Sequence, residues 1–357
     1  MWKCQNEISD ECNIRDALRC LGHKVIDYNW FEYEDLLKEK LPGEYIKHKP
    51  KDHPNEFFDK TDFTIVAKKV TPKHIKEIRK LTKALVFYWT FDLMEDAGVK
   101  DSADIVNRSP TSPRVADHVG SVTESDGFFH KEQGWSCQYR EANPNSFYLP
   151  EDCAPPTHDK LEVLGESPEE IKRMAEILGF TQEEYPVIFT GTYYDFGEGR
   201  PGILEQIREK IKPIPLYIFG DNWTTWREHG FPDAQGGCVD ELYRRLIAKA
   251  KISLALDWRT DIEGFWSDRV AQIQASGGFV LSRFVVGMER AFGPDKETCV
   301  YWDTVDDCAE KIKYYLEHEN ERKEILERGY QWAKRYMTFD YRVRQFLTIL
   351  RYRYGIK

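Results

Sequence analysis

Ser267-Asp268-Arg269 stands ahead of a short segment that stops on Gly277-Gly278 and runs into the apolar stretch Phe279–Ser282. A helix that only packs has no need of a charged cluster at its start. A helix that holds an anion does, because its first N–H groups lack intrahelical partners and its N-terminus is positively polarised. Arg269 adds a full charge. Spacings of three and four put Arg269, Gln272 and Ser276 on one face, with Val270 and Ile273 on another. Ser267 or Asp268 is expected to cap the helix. Gly277 and Gly278 are expected to end it in a left-handed turn that lets the backbone pass close to a ligand. The chemistry that fits is binding of a diphosphate. The plainer alternative is a capped helix with Arg269 paired to Asp268 or Glu263.

The same logic recurs upstream. A strand ends at Thr190-Gly191-Thr192, a loop with Gly197 and Gly199 follows, and Arg200 opens a helix led by Pro201 and Gly202. Glycines and an arginine at a strand-to-helix junction suit a phosphate or a sugar; the alternative is a surface turn. The spacing is neither GxxxxGK[ST] nor GxGxxG after a first strand, which argues against a P-loop NTPase and a dinucleotide site. A further strand ends at Gly220, with Trp223 and Trp226 behind it. Aromatics there can stack on a base or sugar, although core packing is their commoner use.

Asp92, Glu95 and Asp96 cluster just past the apolar run Ala84–Thr90. A carboxylate at a strand end can act as general base toward a hydroxyl, its pKa raised by partial burial. Asp92 is nearest the strand and is the expected base; its alternative role is a helix cap. His23, His53, His118 and His130 are other candidate bases. The DKTD and DTVDD runs fit turns and caps better than metal ligation, so no metal is expected.

The chain has 357 residues and a formal net charge of −10. That length holds two ordinary domains, and the acidic balance gives no global nucleic-acid footprint. The charge is uneven, however: Tyr45–Lys83 carries 11 Lys+Arg against 5 Asp+Glu, a local +6. That stretch is either a surface for an anionic partner or a solvated helix face. Eight scattered cysteines include no CxxC pair, which argues against zinc. With no signal peptide and no run of about 20 apolar residues, the expectation is a soluble protein of a reducing, cytoplasmic compartment, the host cytoplasm if the source is viral.

Strand and helix patterns alternate throughout, which predicts an α/β protein with parallel sheets. The first half should hold a helix ending near Gly22, then a strand with Val25 and Ile26. A strand over Phe63–Val70 and a helix capped by Thr71-Pro72 follow. Ala84–Asp92 should be a buried strand, with further strand starts near Asp104 and His118. A Pro-, Asn- and Asp-rich stretch, Gln138–Asp159, reads as the exit to a linker. A capping box Ser167/Glu170 then opens a helix, and the alternation restarts at Tyr185. A second box, Thr304/Asp307, precedes a pair of helices, and the last helix is basic and amphipathic. The expected domains are residues 1–155, residues 156–335, and a C-terminal helix, 336–357, that crosses back to the first. Two doubly wound domains facing each other would place a cleft at the carboxyl ends of both sheets.

Taken in order, YPVIFTGTYYDFGEGRPGILEQI, PLYIFGDNW, KISLALDW, FWSDRVAQIQASGGFVLS and the run from Tyr301 to Leu347 resemble the CgeB-like, spore-maturation-type glycosyltransferases of the GT-B superfamily. The resemblance spans about residues 185–347; ALRCLGHKVIDYN, DFTIVAKKV, VFYWTFD and FYLPEDC fit more loosely. It implies two Rossmann-like domains, an N-terminal one for the acceptor and a C-terminal one for a nucleotide-sugar donor, UDP-sugar first and GDP-sugar second. It also implies metal independence, with helix dipoles and cations neutralising the leaving diphosphate. By position, Arg269 and the N–H groups after it would face the diphosphate, with Arg200 as a second cation, and Ser267, Asp268 and Gln272 would belong to the same donor site. Gly191, Thr192 and Gly220 would line the approach, and Ser282, Arg283 and the VVGMER loop would lie near the sugar or phosphates. One departure concerns Gln272, where many such enzymes carry a ribose-binding Glu. An amide holds a hydroxyl less strongly than a carboxylate does.

For the acceptor, the leading expectation is a 5-hydroxymethylpyrimidine base in DNA, as some phage enzymes of this superfamily use. Lys68, Lys69, Lys73 and Lys76 would meet phosphates, with Lys47, Lys49 and Lys51 nearby, and aromatic side chains would hold a flipped base. The net charge favours a surface polysaccharide, a protein or a small molecule instead. A third reading is a non-catalytic GT-B-like protein that binds sugar nucleotides.

Overall fold

A computed structural model describes residues 10–25, 62–67, 85–90, 104–107 and 147–148. It also describes residues 159–356, save 162, 164–166, 171–172, 174–181, 183, 195–198, 221, 237–240, 258–259, 261–263 and 265. Chain contacts divide it into two units: Met1–Pro150 with Val343–Lys357, and Glu151–Arg342.

The first unit opens with helix α1 (Asp10–Cys20), whose buried Ile14, Ala17 and Leu18 form one face. It ends where expected: Gly22 takes φ +88°, and the His23 N–H closes the turn on Leu18 O at 3.1 Å. Strands β1 (Phe63–Ala67), β2 (Leu85–Thr90), β3 (Asp104–Asn107) and β4 (Phe147–Tyr148) pair in that order, all parallel. Val25 is not in a strand, and Ile26 lies outside the described residues. So do the segment 71–83, the segment 117–125 and the basic lysines between them and β1.

The second unit is a five-stranded, wholly parallel sheet of order β6-β5-β7-β8-β9. Its strands are β5 (Tyr185–Thr190), β6 (Leu216–Phe219), β7 (Ala250–Ala255), β8 (Val280–Arg283) and β9 (Val300–Trp302). The run Tyr-Pro-Val-Ile-Phe-Thr of β5 is buried at five of its six positions. A parallel strand covered on both faces has this nearly unbroken apolar pattern, without polar alternation. Helices follow the strands: α2 (Arg200–Lys210), α3 (Trp223–Glu228), α4 (Glu241–Lys249), α5 (Arg269–Ala275) and α6 (Met288–Phe292). The C-terminal series is α7 (Val305–Glu317), α8 (Glu319–Tyr336) and α9 (Phe339–Ile349).

Each long helix is amphipathic for a readable reason. In α2, Pro201 sits in the first turn and Ile203, Leu204 and Ile207 face the core. In α7, the Thr304 hydroxyl accepts the Asp307 N–H at 3.2 Å, and Cys308, Ala309, Ile312 and Tyr315 are buried. The Asp307 carboxylate reaches back to the Asp303 N–H at 3.2 Å, so the box closes one residue before the cap. The Ser167/Glu170 box forms in both directions, at 3.0 and 3.2 Å. It holds the exposed Glu170 carboxyl below its usual range. Helix α2 packs on α7, and α5 on α8. One core joins Phe189, Leu204, Ile252, Leu254, Phe279, Leu281, Ile312 and Tyr315.

The entry to this unit is clasped to α8. Lys334 Nζ and the Tyr330 hydroxyl bind the two Asp159 carboxylate oxygens at 2.5 and 2.8 Å, and Lys160 Nζ binds Glu327 at 2.6 Å. At the other end of the chain, α9 begins in the second unit. Its last turns belong to the first, where Phe346 meets the Phe63 ring of β1 edge-on at 5.7 Å.

Gly278, just past α5, shows how tightly the helices sit on the sheet. A Cβ there would lie 2.5 Å from Ile247 Cγ2 and 2.6 Å from Ile273 Cγ2. Gly278→Ala is expected to destabilise the chain by about 1–3 kcal/mol through overpacking, read as a lower urea midpoint. Thr304→Ala, which removes the α7 cap, should cost about 1 kcal/mol.

Candidate functional site

Because β5, β6, β7 and β8 run parallel, their carboxyl ends share one edge of the sheet, where open α/β sheets bind ligands. Gly191 follows β5. Its N–H donates to Phe219 O at 2.8 Å, and its carbonyl accepts Trp226 Nε1 at 3.0 Å. Gly220 follows β6, and a Cβ on it would run into the Gly191 carbonyl oxygen. A Cβ on Gly191 would lie 3.0 Å from Phe189 Cζ and 3.1 Å from Arg269 Nη2. Both glycines are therefore required by the closeness of the strand ends and of one arginine. Trp226 is fully buried.

Two guanidinium groups meet at this edge. Arg269 is the first residue of α5. Its Nε donates to Thr190 O at 2.9 Å and its Nη1 to Ser267 Oγ at 3.0 Å; its guanidinium carbon lies 5.4 Å from the Phe189 ring centroid. Arg200 is the first residue of α2. Its Nη1 donates to Thr192 O at 3.0 Å, and it lies 5.6 Å from the Phe189 centroid and 5.7 Å from that of the half-exposed Tyr194. Phe189 thus gives its ring to both cations. No carboxylate forms an ion pair with either arginine among the described residues, and the Arg200 Nε has no acceptor there. Burial, and then the like charge of Arg269, push Arg200 down from 12.5 to about 10, against the opposing pull of Asp257.

Several neighbours differ from their expected roles. Neither Ser267 nor Asp268 caps α5 through its side chain. The Ser267 hydroxyl holds Arg269, and the Asp268 carboxylate accepts Gln272 Nε2 at 2.5 Å. Helix α5 is also short, at seven residues, and Ser276 beyond it is buried. Ser282 is buried, with its hydroxyl donating to Arg283 O at 3.1 Å, and Arg283 lies 5.9 Å from the Trp302 centroid. Thr192 offers its carbonyl to Arg200. Asp92, Lys68, Lys69, Lys73 and Lys76 lie outside the described residues, as do His53, His118 and His130. Among the described residues, no group of three or more His, Cys, Asp or Glu could hold a metal, and no helix is long and apolar enough to cross a membrane.

Two features went unread in the sequence. Asn222 accepts the Tyr193 N–H at 2.7 Å and donates to Tyr193 O at 3.3 Å, which fixes the chain leaving β5. Asp257 lies just past β7, is 5% exposed, and accepts the Ser267 N–H at 3.1 Å. The signal for Asp257 was present: a carboxylate directly behind an apolar strand, the pattern that singled out Asp92.

Residues 200–348 match the family described as Glycosyl transferase-like. No curated protein matches the chain. Among solved structures, a glycosyltransferase from Rickettsia africae is 14% identical, with TM-score 0.63 over 96% of this chain and 93% of that one. Anabaena HepE in complex with UDP and glucose is 10% identical, with TM-score 0.62 over 98% and 97%. Sucrose-phosphate synthase from Thermosynechococcus elongatus is 12% identical, with TM-score 0.60 over 97% and 93%. At these identities what is shared is the fold, the parallel-sheet α/β fold of the GT-B glycosyltransferases.

Arg200 is charged at neutral pH at a cost that burial and Arg269 impose. Arg200→Met removes that cost along with the cation. The thermal midpoint of the empty protein should stay level or rise. Affinity for a diphosphate ligand should fall about 10- to 100-fold, the worth of a charge-assisted hydrogen bond. Differential scanning fluorimetry and calorimetric titration read the two effects separately.

Proposed function

We propose that this chain, with the fold of the GT-B glycosyltransferases and a glycosyltransferase family match over residues 200–348, moves a sugar from a nucleotide-sugar donor to a hydroxyl acceptor. The observation that carries this reading is the pair of guanidinium groups, Arg200 and Arg269. Both are held by neutral oxygens at the carboxyl edge of a parallel sheet, with no ion-pair partner among the described residues. A diphosphate supplies the missing anion. UDP-sugar is the first choice of donor, a choice supported by the shared fold of HepE, whose structure holds UDP and glucose; a GDP-sugar is the second.

In the reaction, the bond between the sugar's anomeric carbon and the diphosphate oxygen breaks, and the electron pair leaves with the nucleotide. The negative charge that grows on that oxygen is what Arg200 and Arg269 stabilise, in the role a divalent metal takes in other transferases. The acceptor oxygen bonds to the anomeric carbon and gives up its proton to a base, for which Asp92 is the candidate. Gln272 is already bonded to Asp268, so a ribose hydroxyl at this helix would have to compete with a carboxylate for its amide.

For the acceptor, the specific reading is a 5-hydroxymethylpyrimidine in DNA, within a CgeB-like or phage-type subgroup. Its support is the local +6 of Tyr45–Lys83, including Lys68, Lys69, Lys73 and Lys76. The overall charge of −10 supports a carbohydrate, protein or small-molecule acceptor. Thermal-shift screening of nucleotide sugars, followed by transfer assays on hydroxymethylated and plain duplex DNA at several salt concentrations, separates them.

Arg269→Ala is expected to weaken donor binding at least about tenfold; an unchanged dissociation constant would remove Arg269 from the site. Asp92→Asn should abolish transfer while donor affinity stays within twofold of wild type. Full turnover in that variant would assign the base elsewhere.

A further inference from the structure

Asp257 is a buried charged group at the same edge of the sheet, just past β7, with no part in binding or transfer so far. Its carboxylate is 5% exposed. One oxygen accepts the Ser267 N–H at 3.1 Å; the other is buried and meets no donor among the described residues. A buried carboxylate with so little hydrogen bonding is costly unless a cation compensates it. Among the described residues, a short chain of contacts links it to the two arginines. Asp257 holds the Ser267 backbone, the Ser267 hydroxyl holds Arg269 Nη1 at 3.0 Å, and Arg269 and Arg200 share the Phe189 ring. No ion pair of 4 Å or less joins Asp257 to either arginine among the described residues, so it acts on them across a gap.

We infer that Asp257 is a built-in counter-charge for the arginine pair, an affinity-setting residue that competes with the diphosphate for the field of Arg200 and Arg269 and so limits how tightly the nucleotide product is held. The inference rests on the donor-site reading above. In the empty site, two like charges beside one ring repel each other, and one buried negative charge offsets part of that repulsion. When a diphosphate arrives, it brings more negative charge to the same cations, and Asp257 repels it. Held away from water, this repulsion is little screened by salt. The unbonded oxygen is closed off from solvent, which fits action through charge and not through contact with a ligand hydroxyl. In the opposite arrangement, a hydroxyl-binding carboxylate, removal of the charge would weaken binding. The two roles therefore differ in the sign of one measurable effect.

The test is calorimetric titration of the full-length chain and its Asp257→Asn variant with UDP and with uridine. Asp257→Asn keeps the size of the side chain and an oxygen for the Ser267 N–H. Expected is UDP binding three- to thirtyfold tighter than wild type, with uridine unchanged, since uridine carries no phosphate. Asp257→Ser, neutral but smaller, should shift UDP affinity in the same direction, which covers a folding failure of the first variant. If release of the nucleotide limits turnover, kcat falls with the tighter binding while KM for the donor also drops. UDP bound equally or more weakly by folded neutral variants overturns the counter-charge role and leaves the donor site standing. If wild type binds neither UDP nor inorganic diphosphate, the donor site itself fails, and this inference fails with it.

Discussion

Two positive charges placed against one aromatic ring set the conditions for the rest of the second unit. Like charges repel, and a half-buried guanidinium loses hydration that neutral carbonyls only partly replace. Arg200 and Arg269 stay in place because each is tied to backbone carbonyl oxygen next to β5, at Thr192 and Thr190. Those carbonyls are fixed in turn by the parallel ladder, by Asn222 bracketing Tyr193, and by Trp226 donating to Gly191. The site is thus an unfavourable arrangement held by a stable sheet, and in the proposed function an anionic ligand is the group that relieves it.

The scaffold explains why this edge can bear the cost. Strand β5 lies between β6 and β7 in the sheet and is buried along nearly its whole length. Its end cannot shift without disturbing a core that runs through Phe189, Leu204, Leu254 and Ile312. The glycines at 191 and 220 allow two strand ends and a guanidinium to share a space that any side chain would fill. Asp257, just past the neighbouring strand β7, adds one negative charge to a locally positive region. Rigidity comes from apolar packing, and the two arginines sit where that packing ends, at the carboxyl edge of the sheet.

Much of this was legible from residue order. The capping boxes at Ser167/Glu170 and Thr304/Asp307 were readable because a cap is a local pattern, and both form. Strands β5 and β6 are readable because their apolar β-branched and aromatic runs end on glycine, and β7 and β8 as short apolar runs behind helices; the three residues of β9 give no such signal. Arg200 and Arg269 were each picked out by position, but that both would meet at Phe189 depends on pairing across the sheet. The cap of α5 differs from expectation for a related reason: Ser267 and Asp268 have a choice of partners, and here they hold Arg269 and Gln272. The first unit offers less, because its signals are charge and composition, which fix no geometry.

The most direct test of the account is a crystal structure of the chain soaked with a UDP-sugar. Expected is the diphosphate within hydrogen-bonding distance of the guanidinium groups of Arg200 and Arg269, at the carboxyl end of β5. A nucleotide bound elsewhere, with both arginines keeping only their backbone and Ser267 partners, would contradict it.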